Sequence, residues 1–221
     1  MTTAFAADGR LVLPPFFPIG RGEDAIWGQL LSIVFPTGCF AHLPWAILHR
    51  PWDTRRFWPG EVLRSAATAD IPEAVCSLMA DCHPGPASQD SLQAVGRHLS
   101  DLATRNLGEF IAYLREKKQA GSRRKIAFLQ TRLGWPSLPE SCRRDLRRYI
   151  EILTERQNDI MATIPAELLY GRDPLTAAEL FQSLIGHYGR LLHSWSELLA
   201  FLTKSEAVAE VFGAQGPGGA G

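Results

Sequence analysis

Two adjacent carboxylates, Glu23 and Asp24, lie between glycines and just ahead of a tryptophan in residues 21–28, RGEDAIWG. A carboxylate within hydrogen-bond reach of a hydroxyl can take its proton as a general base, which glycosyl transfer to a hydroxyl acceptor requires. A second carboxylate beside it can orient neighbouring groups. The flanking glycines allow sharp backbone turns and close approach to a bulky ligand. Trp27 offers an apolar surface for a sugar ring.

The same acidic pair also has a purely structural interpretation. Glu23 and Asp24 could begin a helix over residues 25–35, because acidic residues in the first turn complement the helix dipole. Acidic helix starts are common, so the spacing alone favours this interpretation over a catalytic one.

The order of elements after the pair adds to the catalytic interpretation. A turn at residues 36–38 is followed by CFAHLPWAILHRP over residues 39–51, which predicts a short strand that leads to a histidine. Acidic pair, helix, turn, strand and histidine in this order resemble the final part of the catalytic domain in GT-A-type glycosyltransferases, as in family 2. The resemblance covers about residues 11–51, less than a quarter of the chain.

The resemblance implies a role for individual residues. Asp24 would be the catalytic base or an acceptor ligand, with Glu23 as its partner. His49 would contact a metal ion or a diphosphate, and His42 is the second choice for that contact. The residues that would bind the substrate are Trp27, Arg21 and Trp45.

Two parts of the GT-A pattern are missing from the sequence. There is no nucleotide-sugar-binding βαβ half, and no Asp-x-Asp motif occurs in the 221 residues. Divalent manganese or magnesium needs oxygen ligands, so we expect metal binding only if another domain or chain completes the site. We therefore expect an acceptor-side, C-terminal portion that is catalytically incomplete alone. Either a separate chain supplies the front half, or the chain is a truncated product that kept its fold.

Composition restricts the class of protein. The chain has 46% hydrophobic residues, and 23 basic residues balance 23 acidic ones, so no net charge attracts the whole molecule to nucleic acid or to an anionic membrane. Four scattered cysteines and the absence of a signal peptide predict a cytoplasmic protein. The sequence contains no run of eighteen apolar residues, so we expect no membrane-spanning helix.

The pattern of residues changes near residue 60. The first part is rich in proline and tryptophan, whereas apolar residues recur at helical spacing from residue 61 onward. We predict a mainly α protein, a multi-helix bundle preceded by a short α/β segment that resembles the end of a GT-A domain. The predicted units are a catalytic-domain remnant over 1–60, the bundle over 61–205 and a disordered glycine-rich tail over 206–221. The predicted bundle helices span 61–68, 71–81, 88–118, 123–133, 139–164 and 176–204.

Two further clusters have weaker interpretations. Cys76, Cys82 and His83 could bind zinc, but their spacing is not that of a zinc finger, and free cysteines are most often small buried residues. The basic runs at 123–125 and 143–148 could contact phosphates of RNA, of a nucleotide or of a lipid-linked donor. They are also ordinary solvated helix faces, and the neutral overall charge argues against nucleic-acid binding.

Two functions remain open from the sequence. The first is a glycosyltransferase-like chain that binds a nucleotide-sugar and a sugar acceptor. The alternative is a non-catalytic helical module that binds another protein. Both predict an exposed apolar patch in the Pro/Trp-rich first segment, and hence a partner chain or self-association through it. The residues of this predicted patch are Pro14, Phe16, Phe17, Trp45 and Trp52. They differ in whether Asp24 and His49 converge on one open cleft.

Overall fold

The computed structural model describes residues 12–38, 60–82 and 88–204. Within these ranges the regular secondary structure is helical, apart from one isolated parallel bridge between Ala69 and Pro165. The predicted mainly α class is therefore confirmed. The helices are α1 (Glu23–Val34), α2 (Glu61–Ala67), α3 (Ile71–Met79), α4 (Ser88–Ala103), α5 (Leu107–Leu133), α6 (Glu140–Glu155), α7 (Ile160–Thr163), α8 (Ala166–Leu169) and α9 (Pro174–Lys204).

The core is built around the pair α4 and α9, which form the most extensive helix contact among the described residues. Apolar residues at three- and four-residue spacing place one face of each helix in the interior. α1 packs on α3 and α4, α5 packs on α3, α7 and α9, and α6 lies on α2 and α5. The fully buried side chains of the central pair include Leu92, Val95 and Leu99 of α4 and Phe181, Ile185 and Tyr188 of α9.

Glycines let α4 and α9 approach at backbone distance. A Cβ added to Gly96 would lie 2.5 Å from the backbone nitrogen of His193 and 2.6 Å from the carbonyl oxygen of Gly189. A Cβ on Gly189 would in turn meet the carbonyl oxygen of Gly96 at 2.8 Å. Since any side chain would collide with backbone atoms, the helix crossing depends on glycine at both positions.

The prediction of a single helix over 88–118 is wrong. The chain leaves the helical path after Ala103, and Asn106 caps the next helix by accepting a hydrogen bond from the backbone N–H of Glu109 at 2.9 Å. Asparagine is among the preferred N-cap residues, because its side chain replaces a missing intrahelical acceptor. α4 and α5 are therefore two separate helices, and both of them contact α3 and α9.

The predicted helix end near residues 117–121 is also wrong, because α5 continues through Gly121 to Leu133. A helical glycine costs about 1 kcal/mol relative to alanine. Lys118 and Ser122, on either side of Gly121, are both buried, so the packed face of α5 continues across the glycine.

The predicted helix over 139–164 divides in a similar way. α6 ends at Glu155, and Asp159 starts the short α7 by accepting a hydrogen bond from the backbone N–H of Met161 at 2.8 Å. By contrast, the prediction of a helix over 176–204 agrees with α9 to within two residues.

The segment before α1 is extended and contains no strand in its described part. Prolines at 14 and 15 have no N–H to donate to a strand ladder. Side chains bind its carbonyl groups instead. The three donors are Trp195 Nε1 to Leu13 O at 2.7 Å, Trp27 Nε1 to Pro14 O at 2.9 Å, and Tyr188 Oη to Pro15 O at 3.0 Å. The predicted α/β character of the first segment is not supported by these residues, and the predicted strand near residues 39–49 lies outside the described residues.

The residues before and after the predicted boundary at 60 share one core. Phe17, Ile26 and Leu30 belong to the same buried cluster as the helices that follow. The division into 1–60 and 61–205 stays a prediction, and the predicted tail over 206–221 lies outside the described residues. Across the described part of the chain, no helix has both the length and the apolarity needed to cross a bilayer.

Candidate functional site

The acidic pair lies in the first turn of α1, as the structural interpretation predicts. Gly22 is the N-cap residue, and no side chain provides a cap hydrogen bond. Glu23 and Asp24 are exposed, and the Oδ1 atom of Asp24 accepts a hydrogen bond from the N–H of Ala25 at 2.9 Å. Among the described residues neither carboxylate takes part in an ion pair. Both are therefore accessible to a ligand, and the neighbouring Arg21 is exposed as well.

Two left-handed glycines fix the turn that precedes the pair. Gly20 and Gly22 have φ angles of 89° and 83°, which residues with a side chain rarely adopt. A Cβ at Gly22 would lie 2.8 Å from Pro72 Cγ, and one at Gly20 would lie 3.2 Å from Ile71 Cδ1. The expected sharp turn is present, and the close approach that these glycines permit is to the start of α3.

Trp27 is buried below the acidic pair and is only 7% exposed. Its indole nitrogen donates to Pro14 O, and the ring of Phe16 stacks on it with centroids 5.2 Å apart and planes inclined by 12°. Phe16 itself is 43% exposed. The predicted contact of a sugar ring with Trp27 is therefore limited to the 7% of this side chain that is exposed, and Phe16 covers one face of its ring.

The remaining predicted site residues cannot be placed relative to the acidic pair. Trp45 and His49, together with His42, lie outside the described residues, so the convergence of Asp24 and His49 stays a prediction. In the ranges that the structure describes, no group of three or more His, Cys, Asp or Glu side chains is arranged to hold a metal ion.

The zinc hypothesis concerns Cys76 and Cys82 within the described residues, because His83 lies outside them. Cys76 faces α1, with its Sγ atom 3.8 Å from the carbonyl oxygen of Ala25. Burial, and to a lesser extent the negative charge of Asp70, raises the pKa of the Cys76 thiol to about 11. Since thiolate is the form that binds metal, this environment disfavours zinc binding.

An open polar cleft of about 610 Å³ lies on the other side of the α3 N-terminus. Asp70, which lines it, directly precedes Ile71 and Pro72, against which the glycine turn packs. The cleft and the acidic pair therefore flank the same helix end. Sequence reasoning missed the cleft because four helices supply its lining, which consists of Glu61, Arg64, Ser65, Thr68, Asp70, Glu73, Lys125 and Tyr149.

Many of the polar groups that line the cleft form hydrogen bonds or ion pairs with other groups of the protein. Glu73 pairs with Lys118 at 3.0 Å and with Lys125 at 3.7 Å, and Lys118 also donates to the carbonyl of Thr68 at 3.3 Å. The Lys118 side chain is only 8% exposed, and these partners satisfy its ammonium group in the interior. The hydroxyl groups of Ser65 and Tyr149 lie 3.2 Å apart. Such hydroxyl and carboxylate groups can bind a polyhydroxylated ligand.

A second charged cluster joins the end of α3 to α5. Tyr113 donates a hydrogen bond of 2.5 Å to Asp81, and Lys117 forms an ion pair with the same carboxylate. The bonds from Lys117 and then Tyr113 lower the pKa of Asp81, and burial raises the pKa of Tyr113. These residues satisfy one another, so the cluster is best explained as a link between the two helices.

No protein-family model, curated protein or solved structure matches this chain. The resemblance to GT-A glycosyltransferases therefore depends on residues 11–51 alone, and any function has to be inferred from the residues themselves.

Proposed function

We propose that this chain is the acceptor-side and C-terminal helical portion of a GT-A-type glycosyltransferase. In this proposal it acts together with a nucleotide-sugar-binding unit on another domain or chain. The observation that carries the proposal is the exposure of Glu23 and Asp24 on a rigid support. Neither carboxylate forms an ion pair among the described residues. Neither is the N-cap residue of α1, because Gly22 occupies that position.

A catalytic base has to be held in place by the residues around it. Ile26, Leu30 and Val34 fix α1 in the core, with relative exposures of 1% or less. The left-handed turn at Gly22 is confined by Pro72, and the bond from Trp27 to Pro14 O ties the preceding segment to the helix. The acidic pair is thus presented to solvent from a well-packed element.

The proposed roles follow from this placement. Asp24 takes the proton of the acceptor hydroxyl, and Glu23 orients neighbouring polar groups. Arg21 binds polar groups of the substrate, and the exposed ring of Phe16 contacts the apolar face of a sugar. The described residues do not form a carboxylate cluster that fits manganese or magnesium. In this proposal the metal comes with the donor-binding unit, because the sequence has no Asp-x-Asp motif, and Glu23 and Asp24 act on the acceptor.

Calorimetric titration of the purified chain with mono- and oligosaccharide acceptors tests the proposal. A charge-assisted hydrogen bond contributes about 1.5–3 kcal/mol, so Asp24→Asn should weaken acceptor binding by roughly tenfold or more. Glu179→Gln is the matched control, because Glu179 is an exposed acidic residue on α9, and it should leave binding unchanged.

Two results would contradict the proposal. One is the absence of binding across the acceptor panel, or equal binding by wild type and Asp24→Asn. The other is metal-dependent binding of a nucleotide-sugar that is lost in His49→Ala, since this would place a donor site in the chain itself.

A non-catalytic interaction module is the second candidate function. The prediction that Pro14 and Phe17 are exposed is wrong, because both pack into the protein interior. Phe16 and Ile19 are 43% and 40% exposed, which favours contact with a partner chain or a second copy. Size-exclusion chromatography with light scattering checks self-association. We expect a mass that rises with concentration in the wild type and less so in Ile19→Asp, whereas a constant monomer mass would count against this candidate.

A further inference from the structure

A pair of antiparallel helical segments projects from the core. It consists of residues 123–152, which comprise the second half of α5, the connecting turn and most of α6, and we call it the projecting hairpin. None of its residues is fully buried, and the first buried residue after it is Leu153. Its outer parts therefore contribute little to the core and are free to contact another surface.

The projecting hairpin concentrates positive charge in a chain that is neutral overall. It contains eight arginine or lysine residues and three acidic ones, a net charge of +5 that the rest of the chain balances with −5. Arg123, Arg124 and Arg144 are exposed and form no ion pair with a described residue. The net charge of the whole chain is zero, but the surface of the projecting hairpin is strongly basic.

Aromatic side chains accompany this charge at the tip. The guanidinium of Arg132 lies 3.9 Å from the ring centroid of Trp135 and 4.7 Å from that of Phe128. Trp135 is 47% and Phe128 is 55% exposed. Arg124 lies four residues before Phe128, on the same stripe of α5. Cationic and aromatic side chains thus alternate along one exposed face.

The turn at the tip is held by a single side chain. Arg143 donates hydrogen bonds to the carbonyl groups of Trp135 and Leu138, each at 3.3 Å, and to that of Leu133. Because these bonds satisfy carbonyl groups at and after the end of α5, the turn is ordered without contact to the core. Trp135 is therefore held outward by the local structure.

We propose that the exposed side of the projecting hairpin, from Arg124 through Phe128 to Trp135, docks on an anionic membrane surface. Tryptophan is enriched at the headgroup level of bilayers, where an apolar ring with a polar edge is favourable. Clustered arginines add electrostatic attraction to anionic lipids. Binding of this kind is peripheral, with Trp135 and Phe128 in the headgroup region and Arg123, Arg124 and Arg144 against the lipid charges.

The observations favour a lipid surface over single-stranded nucleic acid. Binding of single strands uses open aromatic faces in a positively charged groove. Here Arg132 already covers one face of both Phe128 and Trp135. The rings lie at the end of a projecting element, a shape that suits a flat surface. This inference is independent of the proposed glycosyltransferase role.

Co-sedimentation of the full chain with lipid vesicles tests the proposal. We expect binding to phosphatidylcholine vesicles that contain about 30% phosphatidylserine, no binding to pure phosphatidylcholine, and release at high salt. Each arginine near the surface should contribute roughly fivefold, so the double variant Arg123→Gln with Arg124→Gln should bind roughly 25-fold more weakly. Trp135→Ala should bind about tenfold more weakly through lost apolar burial.

A matched double variant controls for net charge. Arg97 on α4 and Arg190 on α9 are both exposed, so replacing both with Gln removes the same charge away from the hairpin. We expect less than about a twofold effect, because exposed charges beyond a Debye length are screened. Circular dichroism should show native helicity in all variants, since every substituted side chain is at least partly exposed.

Three results would overturn the proposal. They are equal losses in the two double variants, equal binding to neutral and anionic vesicles, and binding to single-stranded RNA without binding to anionic vesicles. Asp24→Asn should bind vesicles like the wild type, so a failure of acceptor binding and a failure of membrane docking would be seen separately.

Discussion

Replacing Gly96 with alanine should destabilise the protein strongly for so small a change. The added Cβ would lie 2.5 Å from the backbone nitrogen of His193 and 2.6 Å from the carbonyl oxygen of Gly189. Ordinary contacts of this kind begin at 3.4 Å, so α4 and α9 would have to separate by about 0.9 Å. The neighbours are backbone atoms of a helix, and no rotamer change can relieve the collision.

The size of the effect follows from two opposing contributions. Overpacking a well-packed core costs about 1–3 kcal/mol, and the rigid backbone contacts place Gly96→Ala at the upper end. Alanine regains about 1 kcal/mol of helix propensity relative to glycine. The free energy of unfolding should therefore fall by about 2 kcal/mol, and the Tm by about 4–8 °C for a chain of this size.

Gly121→Ala is the matched control, since Gly121 also lies inside a helix but has nothing within 4 Å of its added Cβ. This variant should gain about 1 kcal/mol from propensity alone. Urea denaturation followed by circular dichroism at the helix band measures both variants. If Gly96→Ala were neutral or as stabilising as Gly121→Ala, the close crossing of α4 and α9 would be refuted.

Two further predictions concern helix starts. Asn106→Ala removes the acceptor for the Glu109 N–H and should reduce the free energy of unfolding by about 1 kcal/mol in urea titrations, whereas an unchanged midpoint would contradict the break between α4 and α5. The hydroxyl of Thr176 and then backbone N–H groups lower the pKa of Asp173 in the folded state. Its charge therefore stabilises the fold above its ordinary pKa of about 3.9, and this contribution is lost as the pH falls through the lowered value. Asp173→Asn should accordingly lower the Tm at neutral pH, with a difference that disappears in acid, and a pH-independent difference would exclude this linkage.

The ends of a helix could be predicted from the sequence only where the apolar pattern changes at those ends. α9 was predicted to within two residues, because its stripe is long and proline and glycine flank it closely. The break between α4 and α5 was missed because the same apolar spacing runs through both helices. The local signal was Asn106 with Glu109 three residues later, an arrangement typical of helix starts.

The candidate site was predictable only where it is local. The placement of Glu23 and Asp24 in a first helical turn follows from neighbouring residues, and the structure agrees. The buried Trp27 donates its indole N–H to the carbonyl oxygen of Pro14, 13 residues earlier in the chain. The polar cleft forms only where four helices meet. The contact of Gly96 with Gly189 likewise joins helices far apart in sequence. Tertiary contacts of this kind leave no periodic signal.

The basic runs can be read from the sequence, but their location on an element outside the core cannot. A total charge of zero argued against binding to anionic partners. The structure shows that residues 123–152 lie outside the core, so their charge acts locally. Our membrane-docking proposal therefore depends on the local charge of residues 123–152, to which the whole-chain total is insensitive.

The extended segment at residues 13–15 has a consequence for synthesis of the chain. Its partners Tyr188 and Trp195 follow 173 and 182 residues later, so they are made long after this segment on the ribosome. Contacts between such distant residues form slowly, because the intervening chain must first be brought together. Phe17, which packs edge-on against Tyr188, stays without this partner until α9 is complete. A nascent chain that stops before Tyr188 would therefore leave Phe17 without its aromatic partner, and the carbonyl groups of residues 13 and 15 without their side-chain donors.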